Sequence, residues 1–107
     1  MEVHKLNDMI KGWFIGNFEP SLYKTNDVEV GVKKYVAGEY ENRHHHKIAT
    51  EYTVVIAGEI EMLGKRFYDG DIIILKPYES TDFKAISDAT TLVVKIPGAS
   101  NDKYLDK

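Results

Sequence analysis

Between Gly38 and Gly58 the chain reads GEYENRHHHKIATEYTVVIAG, and no other stretch constrains its fold as much. Tyr52 to Ala57 is aromatic and β-branched, the composition of a strand. On an extended segment side chains alternate with a period of two, so His44 and His46 share one face and His45 takes the other. Neutral imidazoles and a carboxylate are donors for a divalent transition metal. His44 and His46 can therefore share one ion, and Glu51 follows after a short interval in which the chain can bend. The bracketing glycines fall where turns are expected. This segment reads as a metal site built on strands.

Strand signals run along most of the chain. Trp13 to Phe18 is rich in aromatic and β-branched residues and stops before Pro20. Asp27 to Val36 alternates, with Val28, Val30 and Val32 on one face and Glu29, Gly31 and Lys33 on the other. Glu51 to Ala57 and Glu59 to Leu63 flank Gly58, and Arg66 to Tyr68 pairs back across a short hairpin at Leu63-Gly64-Lys65. Asp69-Gly70 is a turn signal, and Asp71 to Leu75 holds a continuous apolar run of the buried-strand kind. Thr81 to Ala85 and Thr90 to Ile96 close the series. Short strands separated by turn residues predict an all-β fold, a small antiparallel barrel or double-sheet jelly roll. The core spans about residues 13–97 of a single 1–107 domain. The N-terminal segment and the tail after Ala99 are loose unless Tyr104 and Leu105 dock.

Composition sets outer limits. At 107 residues the chain can bury one core. A net charge of −3, with both signs interspersed, gives no support for nucleic-acid binding. No cysteine is present, so disulfides and thiolate zinc sites are excluded. No apolar run is long enough to span a bilayer and no leader is visible, which predicts a cytoplasmic protein without a membrane partner.

The spacing of Gly38, His44, His46, Glu51 and Gly58 resembles the first motif of the cupin superfamily: G, five residues, H-x-H, three or four residues, E, six residues, G. The second motif is matched in part. Gly70 and Pro77 are one residue further apart than in the family, Glu79 stands at the second glycine, Asp82 at the last histidine, and Ile86 at the asparagine. The resemblance covers roughly residues 28–97. It implies a carboxylate ligand at Glu51, beside His44 and His46. It leaves Asp82 as a replacement ligand, a catalytic base or a solvated turn residue. Glu51 has a second reading, as an outer partner holding a histidine N–H.

A mixed nitrogen and oxygen shell suits Fe, Mn, Ni, Co or Zn as the divalent ion. Cupins include oxygenases, sugar isomerases and epimerases, decarboxylases, storage proteins and ligand-sensing modules. The resemblance therefore implies either a metal-dependent isomerase or oxygenase acting on a sugar derivative or organic acid, or a non-catalytic module binding a metal or small ligand. Phe83, Tyr52, Tyr40, Trp13 and Phe67 read as core or pocket wall, and Lys33-Lys34 as a solvated face. Exposed sheet edges of a small β domain need covering, which predicts a homodimer packed through Trp13-Phe14-Ile15.

Overall fold

The computed structural model describes residues 1–106; Lys107, the end of the expected 1–107 domain, lies outside the described residues. After a 3-10 turn at Leu6–Asp8 come β1 (Trp13–Ile15), β2 (Glu29–Tyr35), β3 (Tyr40–His45), β4 (Thr50–Ala57) and β5 (Ile60–Met62). They are followed by β6 (Lys65–Phe67), β7 (Ile72–Leu75), β8 (Thr81–Ala85), β9 (Ala89–Ile96) and β10 (Tyr104–Leu105). The strands form two five-stranded sheets, in the orders β1-β2-β9-β4-β7 and β10-β3-β8-β5-β6. All named pairings are antiparallel, which makes a double-sheet jelly roll.

Alternation decides what fills the space between the sheets. On β8 the buried residues are Thr81, Phe83 and Ala85, and on β5 Ile60 and Met62. From the other sheet β4 contributes Thr53 and Val55, and β9 contributes Ala89, Thr91 and Val93. Val55, Ile60, Met62, Phe83, Ala85 and Ala89 form one apolar cluster, with Tyr35, Phe67, Ile73 and Leu75 packed against it. This cluster fills one end of the sandwich and leaves the other end polar.

Several sequence expectations change here. Tyr40 is exposed, and Tyr52 shares the outer face with Val54, so neither belongs to the core. The tail is docked: β10 pairs with β3, Tyr104 opposite His45 and Leu105 opposite His44. Trp13 keeps its expected place as pocket wall, lying over Gly31 of its own chain, where a Cβ would come within 2.7 Å of the indole. Lys33 points inward, and only Lys34 is on the exposed face.

The two glycines that bracket the histidine segment do different work. Both adopt left-handed backbone angles, φ +93° at Gly38 and +94° at Gly58. A Cβ at Gly38 would meet open space, whereas one at Gly58 would overlap the Asp88 carbonyl oxygen and lie 2.9 Å from the Ala89 Cβ. Gly38→Ala should therefore cost only the backbone strain, about 1–2 kcal/mol. Gly58→Ala should add the overlap, for a total of about 3 kcal/mol or more. Urea midpoints of the two variants check this, and equal losses would contradict it.

Candidate metal and small-molecule site

The geometry of β3 rests on one irregularity. Glu41 pairs with Phe83 and His44 with Thr81, so three steps along β3 match two along β8. Paired residues share a side of the sheet, and Phe83 and Thr81 both point inward. The extra residue is a β-bulge at Asn42 and Arg43, and it shifts the phase of everything after it. Without it, Glu41 would bring Arg43 and His45 inward. With it, His44 and His46 are buried, 8% and 5% exposed.

The opposite face follows the same phase. Arg43 Nε lies 3.0 Å from Asp106 Oδ2, and His45 Nδ1 donates to Asp106 Oδ1 at 2.7 Å. The His45 ring stacks with both Tyr78 and Tyr104, with centroids 6.2 and 5.6 Å away. The tail thus holds the outward side of β3 while the cavity takes the inward side.

His44 Nδ1 lies 2.9 Å from the Asn42 carbonyl oxygen. A carbonyl only accepts, so Nδ1 carries the proton and Nε2 keeps a free lone pair. The His46 ring meets His44 edge to face, centroids 5.6 Å apart, and its buried Nε2 has no hydrogen-bond partner. Burial, reinforced by Lys95 and His44, pushes the His46 pKa down to about 4 despite Asp102, so the ring is neutral at pH 7. Glu51 lines the same cavity, and burial raises its carboxyl above the ordinary value against the pull of Lys95 and His44.

That cavity has a volume of about 290 Å³ and its polar wall also includes Tyr35, Glu41 and four lysines, Lys11, Lys33, Lys95 and Lys103. It continues into a smaller space of about 50 Å³ floored by Met62, Phe83 and Val93. An open groove of about 500 Å³ runs alongside, between the N-terminal segment and β2, and contains neither inward histidine. The Tyr35 hydroxyl donates to Glu41 Oε1 at 3.4 Å; burial first, and Glu41 second, hold its pKa far above the usual phenol.

Asp82 is not brought to this cluster, which corrects its placement as ligand or base. It sits between the buried Thr81 and Phe83, so alternation sends it outward. Its Oδ1 accepts the Leu63 N–H at 2.8 Å and its Oδ2 the Tyr40 hydroxyl at 3.3 Å. There it holds the two-residue turn of the β5–β6 hairpin, whose Leu63 and Gly64 both have positive φ.

Among the described residues no three His, Asp or Glu side chains already converge on one point. The donor chemistry nonetheless suits a divalent ion: one histidine with Nε2 free by tautomer, one with an orphaned buried Nε2, and a carboxyl facing the same cavity. Asp102 was missed in the sequence because it lies in the polar tail. It is 5% exposed and accepts the backbone N–H groups of Lys47, Ile48 and Ala49 at 3.0–3.2 Å, fixing the chain between His46 and β4.

This arrangement of two antiparallel sheets is the double-stranded β-helix of the cupins, and solved structures share it. One is an uncharacterised protein with a double-stranded β-helix domain from Klebsiella pneumoniae, at 23% identity and TM-score 0.73, covering 97% of this chain and 90% of that one. Another is an RmlC-like cupin from Shewanella frigidimarina, at 17% identity and TM-score 0.65, covering 73% and 72%. A sugar phosphate isomerase of the cupin superfamily from Silicibacter pomeroyi aligns at 20% identity and TM-score 0.61, over 65% of this chain and 50% of its own. No protein-family model matches the chain, and no curated protein matches its sequence. The chain therefore has the cupin fold. No helix among the described residues is long and apolar enough to cross a membrane.

Asp102 gives this region a pH dependence. Burial raises its pKa, but the amide bonds from Ala49, Lys47 and Ile48 outweigh that and leave it below the ordinary 3.8. A depressed carboxyl stabilises the fold above the ordinary value and loses that contribution as pH falls below it. Asp102→Asn should cost about 2 kcal/mol at pH 7, from weakened charge-assisted bonds, and less below pH ~3. Urea titrations at both pH values measure it; an equal loss at both would contradict the carboxylate's role.

Proposed function

We propose that the chain is a small metal-dependent enzyme of the cupin type, an isomerase or oxygenase acting on a small polar metabolite. His44, His46 and Glu51 would hold one divalent transition metal. The observation that carries this reading is the buried His46 Nε2 without a partner, since leaving a buried polar atom unsatisfied is costly unless something else takes it. A bound ion supplies Lewis acidity at its open positions. The chain's own residues supply the rest. The Asn42 carbonyl sets the His44 tautomer, Asp102 fixes the segment after His46, and Met62, Phe83 and Val93 close the inner end. Tyr35 stays protonated and places a hydroxyl donor on Glu41. A sugar phosphate isomerase among the structures of this fold supports the isomerase side.

Metal analysis of the untagged protein should give about one divalent ion per chain, lost in His44→Ala and His46→Ala and kept in His45→Ala and Asp82→Asn. The loss should exceed the roughly 10–100-fold that removal of an outer partner costs. Metal retained after both inward histidines are removed would overturn the ligand set. Bound metal without turnover across sugar phosphates and keto acids would favour the binding module instead.

We also propose that the working form is a homodimer, through a face other than Trp13-Phe14-Ile15. The outer side of the first sheet carries two apolar rows across four strands: Val30, Val94, Tyr52, Ile74 and Val32, Leu92, Val54, Ile72. Ile72 and Ile74 are 64% and 50% exposed. Contiguous apolar patches of this kind mark interfaces. With no charge in either row, the face complements a second copy of itself. Light scattering should report a dimer, and Ile74→Glu a folded monomer; a monomeric parent protein would refute it.

A further inference from the structure

Four lysines from four separate parts of the chain meet at the mouth of the 290 Å³ cavity: Lys11 before β1, Lys33 on β2, Lys95 on β9 and Lys103 in the tail. No ion pair among the described residues engages any of them. Only Glu41 and Glu51 line the same cavity with opposite charge, so cations outnumber carboxylates there four to two. The chain as a whole is acidic, at −3, which makes this local excess a property of the site.

Two of the four ammonium groups are also held in place. Lys33 and Lys95 both lie over the Trp13 ring, 5.4 and 5.0 Å from its centroid. Gly31 lets that ring lie flat on β2, because any Cβ there would meet it at 2.7 Å. Burial lowers the Lys33 pKa, Glu41 opposes this, and Lys11, Lys103 and Lys95 lower it further. Like charges gathered on a rigid support, with too few carboxylates to neutralise them, create a field that favours an anion.

We propose that this mouth is an anion-binding site, in which Lys11, Lys33, Lys95 and Lys103 take the carboxylate or phosphate of a small organic anion whose other end faces His44, His46 and Glu51. This names the substrate class for the site described above; it rests on that reading for the catalytic end and not for the lysine end. The cavity volume lies at the small end of ligand sites, which fits a metabolite rather than a polymer.

Trp13, the single tryptophan, lies against two of the proposed anion-binding lysines and serves as the reporter. Titrating the purified full chain with inorganic phosphate and with malonate at low ionic strength should give a saturable change in its emission. Chloride at matched ionic strength should give none. The tighter of the two probes distinguishes a phosphate from a carboxylate ligand. Lys95→Met and the exposed Lys103→Met should each weaken binding by about tenfold, as expected for loss of a charge-assisted bond. Lys84→Met, which faces away from the cavity on β8, should leave it unchanged. Protein stripped of metal by a chelator and then dialysed should keep the anion response, so failure of the metal reading and of this one are told apart. No saturable response to either probe, or unaltered affinity in both cavity lysine variants, would overturn the proposal. So would loss of the response in the folded, metal-stripped protein.

Discussion

One extra residue in β3 organises the whole site. The sandwich is fixed by alternation, and alternation from Glu41 would direct Arg43 and His45 into the cavity. Burying an arginine there would cost several kcal/mol unless it were paired. The bulge at Asn42 and Arg43 removes that conflict: Arg43 goes outward to Asp106, and His44 and His46 go inward. It also frees the Asn42 carbonyl from regular pairing, and that carbonyl fixes the tautomer of His44. Irregular strand pairing beside a site is how a sheet re-aims a side chain without losing its ladder.

The interior is divided into an apolar end and a polar end. Val55, Ile60 and Phe83 supply the burial that stabilises the fold, while Tyr35, Thr53 and Thr91 form a middle layer before the charged mouth. Stability and chemistry are thereby assigned to different ends of the same strands. The cost is visible at the polar end, where His46 keeps an unsatisfied nitrogen and Lys33 is held below its ordinary pKa by burial. Such uncompensated groups cluster where a ligand is expected to supply the missing partner.

The tail ties these parts together. Asp102 clamps the connection after His46 on the cavity side, while β10 and Asp106 hold the outward face of β3. A short polar segment therefore fixes both sides of the histidine strand. Its sequence shows neither role, because Asp102 forms its bonds to backbone groups more than fifty positions away.

By itself the sequence determined the strands and turns of the body, the docked β10 excepted, since β-branched alternation and glycine or Asp-Gly punctuation are local signals that the strand ends follow closely. It also determined that His44 and His46 share a face and that His45 does not, because a period of two needs no knowledge of the fold. What only the tertiary structure decided was which face is inside. The valines of β2 face out and Lys33 faces in, because the polar end of the cavity reverses the usual association of apolar with buried. Asp82 was displaced by the same cause: its place in a motif carries no parity, while its neighbours Thr81 and Phe83 are committed to the interior. The convergence of Lys11, Lys33, Lys95 and Lys103 could not be read along the chain either, since it depends on sheet order bringing β2 beside β9. Local periodicity sets the faces of each strand; packing of one sheet on the other assigns those faces to core, cavity or surface.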